Sequence, residues 1–321
     1  MLKTRFTEMM GIRLPVMQGG MQWIARAELA AAVSNAGGLG CISAMCFDDT
    51  EALRAEIRRV KALTDAPFAV NLSMLPSVAL SGQTADFANV IAEERVPAVE
   101  TSGRSPGELI PLFKEAGVKI IHKVPAVRFA QKAQELGVDA VTLVGFECGG
   151  HPGMDDVPTA ILVQRASQCL QIPILAAGGI MDGRGLAAAR CWGADGVVMG
   201  TRFLLTKECD IHQNVKDWMA SATERDTMVV QRSIQNAVRV MKNRHAELVA
   251  ERETCHPTLS ELMPLISGKL GRKLLETGEM DEGLLAMGQC VGLLRQEESV
   301  NHVLEEMECE YRNTLSRLTR Q

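Results

Sequence analysis

The residues whose types and spacing most suggest chemistry are 145–156, Gly-Phe-Glu-Cys-Gly-Gly-His-Pro-Gly-Met-Asp-Asp. They follow residues 138–144, a short, mostly apolar run that predicts a buried strand. Four glycines within nine residues let a backbone approach a ligand closely or adopt positive φ. Among them His151 lies at the end of the strand, where an imidazole can serve as a proton donor or acceptor. A tight turn with a surface histidine is the plainer alternative, so the interpretation depends on the rest of the chain.

Short apolar runs alternate with helical patterns along the first two thirds of the chain. Strands are predicted at residues 14–18, 39–43, 67–71, 98–101, 118–123, 139–144, 173–177 and 195–199. Eight strands alternating with helices predict an α/β fold of the (β/α)8 TIM barrel type. A doubly wound sheet shows the same alternation. However, polar or glycine residues close strand after strand, and only a barrel brings all those ends to one face.

The alternation of strands and helices ends after Thr206, where a second, smaller and mostly helical domain is predicted. Residues 213–255 are expected to form charged helices, 283–294 an apolar helix and 299–318 an amphipathic helix. The predicted domains are therefore a barrel at residues 1–212 and a helical domain at 213–297 that covers the barrel mouth. Residues 298–321 are expected to return as an outer barrel helix. The long connection at 72–84 is a candidate lid.

Composition narrows the class of protein. The chain has 321 residues, 46% of them hydrophobic, and a net charge of −5 with acidic and basic residues mixed. This mixed pattern lacks the cluster of basic residues expected in a protein that binds nucleic acid or an anionic membrane. No signal peptide and no apolar run of about 20 residues is visible, so we expect a soluble, cytoplasmic protein.

The nine cysteines are odd in number, scattered and free of any C-x-x-C pair. That spacing argues against a disulfide framework or a structural zinc site, and no other metal-ligand cluster stands out. Cys148 lies inside the glycine loop and is a candidate reactive thiol, although packing is the better explanation.

Further candidate site residues stand at other predicted strand ends. Gly178 and Gly179 follow strand seven, and Gly200 and Thr201 follow strand eight, which are the positions where barrels commonly bind phosphate. Lys123 ends strand five and could place a positive charge beside a flavin, although a surface lysine is the commoner case. Amides that could contact a heterocycle are Asn71 and Gln18 or Gln22.

These residues lie within a wider set of motifs by which the chain resembles the FMN-dependent nitronate monooxygenases, formerly called 2-nitropropane dioxygenases. The motifs are at residues 15–21, 35–39, 70–71, 122–123, 149–153, 177–180, 193–196, 199–203 and 286–289. Residues 145–156 and 200–203 are most similar to the NADH:quinone reductase branch of that family. An FMN-dependent enoyl-acyl-carrier-protein reductase is a wider relative.

The resemblance implies non-covalent FMN and a set of residues around it. It implies a phosphate on Gly178, Gly179, Gly200 and Thr201, and His151 beside the ring where a substrate would lie. The ring and the rest of the cofactor are implied to lie near Gly20, Met21, Gln22, Asn71, Lys123, Gly149, Gly150, Ala177 and Gln289.

Two reactions are therefore expected from the sequence. In the first, NADH or NADPH transfers a hydride to the flavin, and a quinone, hydrogen-bonded or protonated by His151, takes two electrons. In the alternative, a nitronate monooxygenase oxidises alkyl nitronates with O₂. Two weaker options are a flavin-binding or regulatory protein that has lost turnover and an enzyme that reduces enoyl thioesters. The electron acceptor, the choice of NADH or NADPH and the oligomeric state stay open, with a homodimer as one option. Arg104 and Arg202 are candidates for contacting a ribose phosphate by charge and position.

Overall fold

The computed structural model describes residues 2–74 and 80–319. Eight parallel strands form one sheet in the order β1-β8-β7-β6-β5-β4-β3-β2. They are β1 Val16–Gln18, β2 Gly40–Ser43, β3 Phe68–Met74, β4 Ala98–Gly103, β5 Lys119–Val124, β6 Ala140–Val144, β7 Ile174–Ala177 and β8 Gly196–Met199.

The first and last strands of this order meet, so the sheet closes. A parallel bridge joins Met17 of β1 to Leu39, just before β2. The Gln18 side chain reinforces the closure, because its Nε2 donates to the Cys41 carbonyl at 2.8 Å and its Oε1 accepts from the Cys41 amide at 3.2 Å. The predicted (β/α)8 barrel is confirmed. Gln18, however, is engaged in holding the barrel together and is not available for a ligand.

Side chains alternate between the two faces of each strand, as the period of two requires. One apolar cluster fills the barrel and includes Met17, Leu39 and Leu175, with Phe6 and Met10 packed into it from the N-terminal helix. A second and larger cluster lies between the strands and the surrounding helices. The closed lower barrel leaves the carboxyl ends of the strands as the open face.

The helices are α1 Arg5–Met10, α2 Ala27–Asn35, α3 Thr50–Leu63, α4 Gly82–Glu93, α5 Ile110–Glu115, α6 Val127–Leu136, α7 Thr159–Ser167, α8 Gly183–Cys191, α9 Thr201–Leu204, α10 Gln213–Ser221, α11 Arg244–Glu253, α12 Leu259–Ile266, α13 Gly268–Thr277 and α14 Val300–Thr319. The long α14 packs against α8 and α2, and so occupies the place of the last outer helix. Its Glu310 accepts a hydrogen bond from the amide of Gly183 at 3.0 Å, at the start of α8.

The segment between α10 and α14 differs in part from the predicted, mostly helical domain. Residues 227–241 hold an antiparallel hairpin, β9 Thr227–Val230 and β10 Val238–Met241. Residues 283–294 do not form one helix either, because an extended stretch bridges Ala286 to Val240 and a short 3₁₀ helix follows at Gln289–Leu293. The β-branched and apolar residues of these stretches pack as a small sheet, which overrides their charged surroundings.

The third connection also differs from its prediction. Strand β3 continues to Met74 instead of ending at Asn71, and α4 begins at Gly82. Residues 75–79 of the predicted lid lie outside the described residues. Among the described helices, none combines the length and the apolar character needed to cross a bilayer.

Candidate active site

A polar layer lies inside the barrel near its open end. Asn71 of β3 is in register with Glu100 of β4, and both side chains are buried. One carboxylate oxygen, Oε2 of Glu100, accepts from Nδ2 of Asn71 at 2.7 Å and from Nζ of Lys123 at 3.0 Å. Glu100 was not predicted as a site residue, although an acidic residue in the apolar run Ala-Val-Glu-Thr is an available signal.

The charge of Lys123 is set by two opposing effects. Burial alone would lower the pKa of its ammonium group, but the Glu100 carboxylate more than offsets this, and the pKa is raised from its usual value. The Lys123 side chain keeps 24% of its surface exposed, whereas that of Glu100 has none. The site therefore presents a protonated lysine above a fully buried carboxylate.

Two oxygen atoms in this layer are left for other partners. Within the described residues, Oε1 of Glu100 and Oγ1 of Thr142 are buried and have no hydrogen-bond partner. Thr142 is in register with Lys123 on the neighbouring strand. Because a buried polar atom without a partner costs free energy, these atoms indicate room for a polar ligand group or water.

The glycine loop places His151 at the mouth, beside this layer. Gly150 has a φ of 83° and pairs with Arg239 of β10 through two main-chain hydrogen bonds of 3.0 and 2.7 Å. The imidazole that follows is exposed to solvent. Its pKa is nevertheless lowered, first by the desolvation that the surrounding walls of the mouth impose and second by the charge of Lys123. His151 is therefore a neutral imidazole at neutral pH, within electrostatic reach of Lys123.

Arg239 fixes the glycine loop from behind and was missed by the sequence analysis. Its guanidinium is 3% exposed, donates from Nε to the Phe146 carbonyl at 3.0 Å and lies 4.5 Å from the centroid of the Phe146 ring. Nη1 donates to Oγ1 of Thr227 at 3.1 Å. No motif in the sequence links β10 to this loop, so only the fold reveals the contact.

The predicted phosphate turns lie at the ends of β7 and β8. Gly178 and Gly179 have φ values of 109° and 72°, which favour glycine. Thr159 supports this turn, because its Oγ1 donates to the carbonyls of Ala177 and Gly178 at 3.1 Å. In the described part of the chain, the main-chain amides of Gly179 and Thr201 donate to no acceptor. Two amides at adjacent strand ends, one of them opening α9, are thus available to an anion.

The segment at residues 286–289 joins these two groups of residues. A methyl group on Gly149 would come within 2.8 Å of the Gly288 amide nitrogen, so these two backbones touch. The Gly288 amide donates to Oγ1 of Thr201 at 3.0 Å, and the Gln289 amide donates to the Glu147 carbonyl at 3.0 Å. The half-buried Gln289 is therefore close to both the glycine loop and the phosphate turn.

The loop after β1 brings its predicted residues to the same face. A methyl group on Gly20 would lie 2.3 Å from Cβ of Asn71, and a methyl on Gly200 would lie 3.6 Å from the sulfur of Met21. Gln22 is exposed and borders Gly268, at the start of α13.

Three predicted or motif residues have other roles. Arg202 is 4% exposed and pairs with Glu298, which makes it unavailable to a ribose phosphate. Arg104 is paired with Glu108 at 2.8 Å. His122, beside Lys123 in the motif at 122–123, points away from the barrel interior, and its Nδ1 lies 2.9 Å from Oγ1 of Thr101.

Comparison with known proteins decides the family. A model of the nitronate monooxygenase family matches residues 3–310. The chain belongs to this family. Its members are flavin-dependent enzymes, so the chain is an oxidoreductase, and the resemblance seen in the sequence is confirmed.

Curated relatives in this family carry different names. A (3aS,4S,5R,7aS)-5-hydroxy-7a-methyl-1-oxo-octahydro-1H-indene-4-carboxyl-CoA dehydrogenase from Rhodococcus jostii is 40% identical over 71% of this chain and 62% of its own length. The match thus spans less than two thirds of that relative. A probable nitronate monooxygenase from Staphylococcus saprophyticus is 35% identical over 71% of this chain and 75% of its own.

Solved structures agree with the fold over the whole chain. FabK from Thermotoga maritima has a TM-score of 0.92 and 35% identity, with 99% of both chains covered. Nitroalkane oxidase from Streptomyces ansochromogenes has a TM-score of 0.81 and 24% identity, with 98% of this chain and 100% of the other covered, and supports the fold alone.

The residues at the open face of this nitronate monooxygenase family member fit a flavin mononucleotide. The main-chain amides of Gly179 and Thr201 have no acceptor in the described residues and suit a phosphate. The buried oxygens of Glu100 and Thr142 that lack hydrogen-bond partners lie below the open end of the barrel, where they can contact a polar group of a ligand. Lys123 is a cation of the kind that a reduced flavin ring favours. A side chain at Gly149 would close the space beside residues 287–288.

Proposed function

We propose that the chain is an FMN-dependent NAD(P)H:quinone reductase. The observation that carries the proposal is a solvent-accessible His151 within electrostatic reach of Lys123, on a glycine loop that packs against the phosphate turn at Gly178 and Gly179. FMN, when bound, would supply the two-electron chemistry between the nicotinamide and the quinone. The protein residues would hold the cofactor, orient the quinone and move protons.

The cofactor would be held by residues from several strand ends. The phosphate would accept hydrogen bonds from the amides of Gly179 and Thr201, with Gly178 and Gly200 leaving space for the close approach. Asn71 and Lys123 would face the ring, which adds two polar contacts fixed by Glu100. The ring would be lined by the remaining predicted residues, Gly20, Met21, Gln22, Gly149, Gly150, Ala177 and Gln289.

His151 would act on the quinone oxygen. As a neutral imidazole it carries one ring N–H, which can donate a hydrogen bond to a carbonyl oxygen as negative charge develops there. Because the ring is exposed, water can deliver a proton to the reduced oxygen while the imidazole keeps its own N–H. The lowered pKa of His151 means that this N–H belongs to a neutral ring near physiological pH.

A nitronate monooxygenase is the second candidate, and the family match favours it. Here the neutral His151 would remove the α-proton of a nitroalkane or position the nitro group, for which a lowered pKa is equally suited. The two candidates share the His151 site and differ in the compound that would lie against it, a quinone in the first and a nitroalkane or nitronate in the second.

A comparison of two steady-state assays tests the proposal. Purified protein loaded with FMN is given NADH or NADPH with benzoquinone without oxygen, and separately propionate-3-nitronate with oxygen. We expect rapid NAD(P)H oxidation that depends on benzoquinone and little oxygen uptake with the nitronate. Oxygen uptake with the nitronate but no quinone-dependent oxidation would assign the chain to the second candidate. Inactivity in both assays with turnover of a CoA thioester would follow the Rhodococcus relative instead.

A further inference from the structure

We propose that Glu100 is a positioning residue for the flavin chemistry: from inside the barrel it fixes Lys123 and offsets its charge, and so limits how strongly the site stabilises negative charge on the ring. The inference rests on the proposed FMN site and adds a residue that neither the motifs nor the family match assigns.

The geometry makes Glu100 the organising group of the polar layer. Its Oε2 holds Lys123 at 3.0 Å and Asn71 at 2.7 Å, the two side chains proposed to face the ring. The carboxylate has no exposed surface, so solvent does not screen it. Whatever lies above Lys123 therefore experiences the sum of one positive and one negative charge.

The buried carboxylate of Glu56 provides a comparison for Glu100, because it belongs to an ion pair in which both carboxylate oxygens have hydrogen-bond partners. Glu56 of α3 is 5% exposed and uses both oxygens, since Oε1 accepts from Arg26 Nε at 2.9 Å and from the Ala27 amide at 2.8 Å, and Oε2 accepts from Arg26 Nη2 at 3.4 Å. Glu100 leaves Oε1 without a partner in the described residues. A carboxylate kept for stability alone would not bury an unused oxygen, because doing so costs free energy.

The expected electrostatic effect follows from the sign of each charge. Lys123 stabilises the negative charge that a flavin ring gains on reduction, and Glu100 opposes that effect from a slightly greater depth. Replacing Glu100 by glutamine keeps the shape and removes the opposing charge. At separations of several Å in partly buried surroundings, one charge is worth about a tenfold change in an equilibrium constant.

Sulfite provides a test that does not depend on turnover, because it adds to a flavin ring, leaves negative charge on it and bleaches its absorbance. The FMN-loaded wild type and Glu100→Gln are titrated with sulfite at pH 6.5. We expect the sulfite dissociation constant of the variant to fall about tenfold and its two-electron potential to rise by about 30 mV. Unchanged or weaker sulfite binding in Glu100→Gln would overturn the proposal. Glu56→Gln, which loses a buried ion pair away from the site, is the matched control and should bind sulfite like the wild type.

The role of Lys123 is tested by repeating the change in its absence. Because the Glu100 carboxylate opposes negative charge on the ring by its own charge, the double variant Lys123→Met/Glu100→Gln should bind sulfite about tenfold more tightly than Lys123→Met. Equal affinities of these two variants would show that the Glu100 charge does not reach the ring, and the proposed opposition of charges would be wrong. The same pair serves if Glu100→Gln alone does not fold.

The titration also separates this inference from the proposed function. It requires bound FMN only. A wild type that binds FMN and sulfite but is not reduced by NADH or NADPH would contradict the quinone reductase proposal and would leave the Glu100 test intact.

Discussion

At the scale of single residues, His151 shows what a sequence can and cannot specify. Its position among four glycines after a strand was sufficient to select it. Its protonation state was not, because that depends on the walls of the mouth and on Lys123, which is 28 positions away in the chain. Glu100 was missed for a related reason: its partners come from two other strands.

The lowered pKa of His151 predicts how quinone reduction responds to pH. Because its neutral form persists below the usual value of about 6.5, kcat/KM for benzoquinone should stay level from pH 8 to 6.5, and the inflection caused by protonation of the imidazole should appear only below that. His151→Gln should lower kcat/KM about a hundredfold and abolish the inflection. The profile is measured from pH 5 to 8.5 for both proteins. An inflection above pH 6.5 in the wild type, or the same inflection in the variant, would contradict this role.

At the scale of elements, strand β10 holds the loop that carries His151. Arg239 contributes two main-chain bonds to Gly150 and two side-chain contacts to Phe146. The hairpin itself could have been suspected from the β-branched runs at 227–230 and 238–241, but its pairing with a loop about 90 residues earlier leaves no trace in spacing.

Replacing Arg239 should therefore loosen the loop more than it destabilises the protein. Arg239→Met removes a buried charge that has no carboxylate partner within hydrogen-bonding distance in the described residues, so global stability should change by only about 1 kcal/mol. Hydrogen exchange at the amides of Cys148 and Gly150 should become at least about tenfold faster. Arg225→Met, at an exposed arginine just before the hairpin, is the control and should leave these amides unaffected. Unchanged exchange in Arg239→Met would exclude the loop-holding role.

Strand β5 carries a second histidine, His122, which makes the stability of the folded protein depend on pH. His122 is 4% exposed, and burial lowers its pKa to about 4, partly offset by a hydrogen bond with the Thr101 main chain that favours the protonated ring. The unfolded chain binds a proton near pH 6.5 and the folded protein does so only near pH 4. Stability is therefore fully present above pH 6.5 and falls by about 3 kcal/mol as the pH drops to 4.

His122→Asn should remove this part of the pH dependence. The free energy of unfolding, measured by urea at several pH values, should fall less steeply between pH 6.5 and 4 in the variant than in the wild type. His302→Asn on exposed α14 is the control. Equal slopes for wild type and His122→Asn would show that the buried imidazole does not set the acid sensitivity.

At the scale of the whole molecule, the barrel was predictable, but the structure of the segment between α10 and α14 was not. Eight periodic strands with turn residues at their ends specify a closed sheet, because each strand–helix unit is local in sequence. The segment between α10 and α14 is held by contacts between residues far apart in the sequence, such as Gly149 with Gly288 and Gly150 with Arg239. The domain limits at 1–212 and 213–297 stay a prediction, as do the residues assigned to FMN.

One measurement tests the central claim most directly. The FMN-loaded protein is mixed without oxygen with NADH and, separately, with NADPH while the visible flavin absorbance is followed, and benzoquinone is then added. We predict rapid bleaching by at least one of the two nucleotides and full return of the absorbance with benzoquinone. Absence of bleaching by both nucleotides, in protein that has bound FMN, would contradict the proposed quinone reductase.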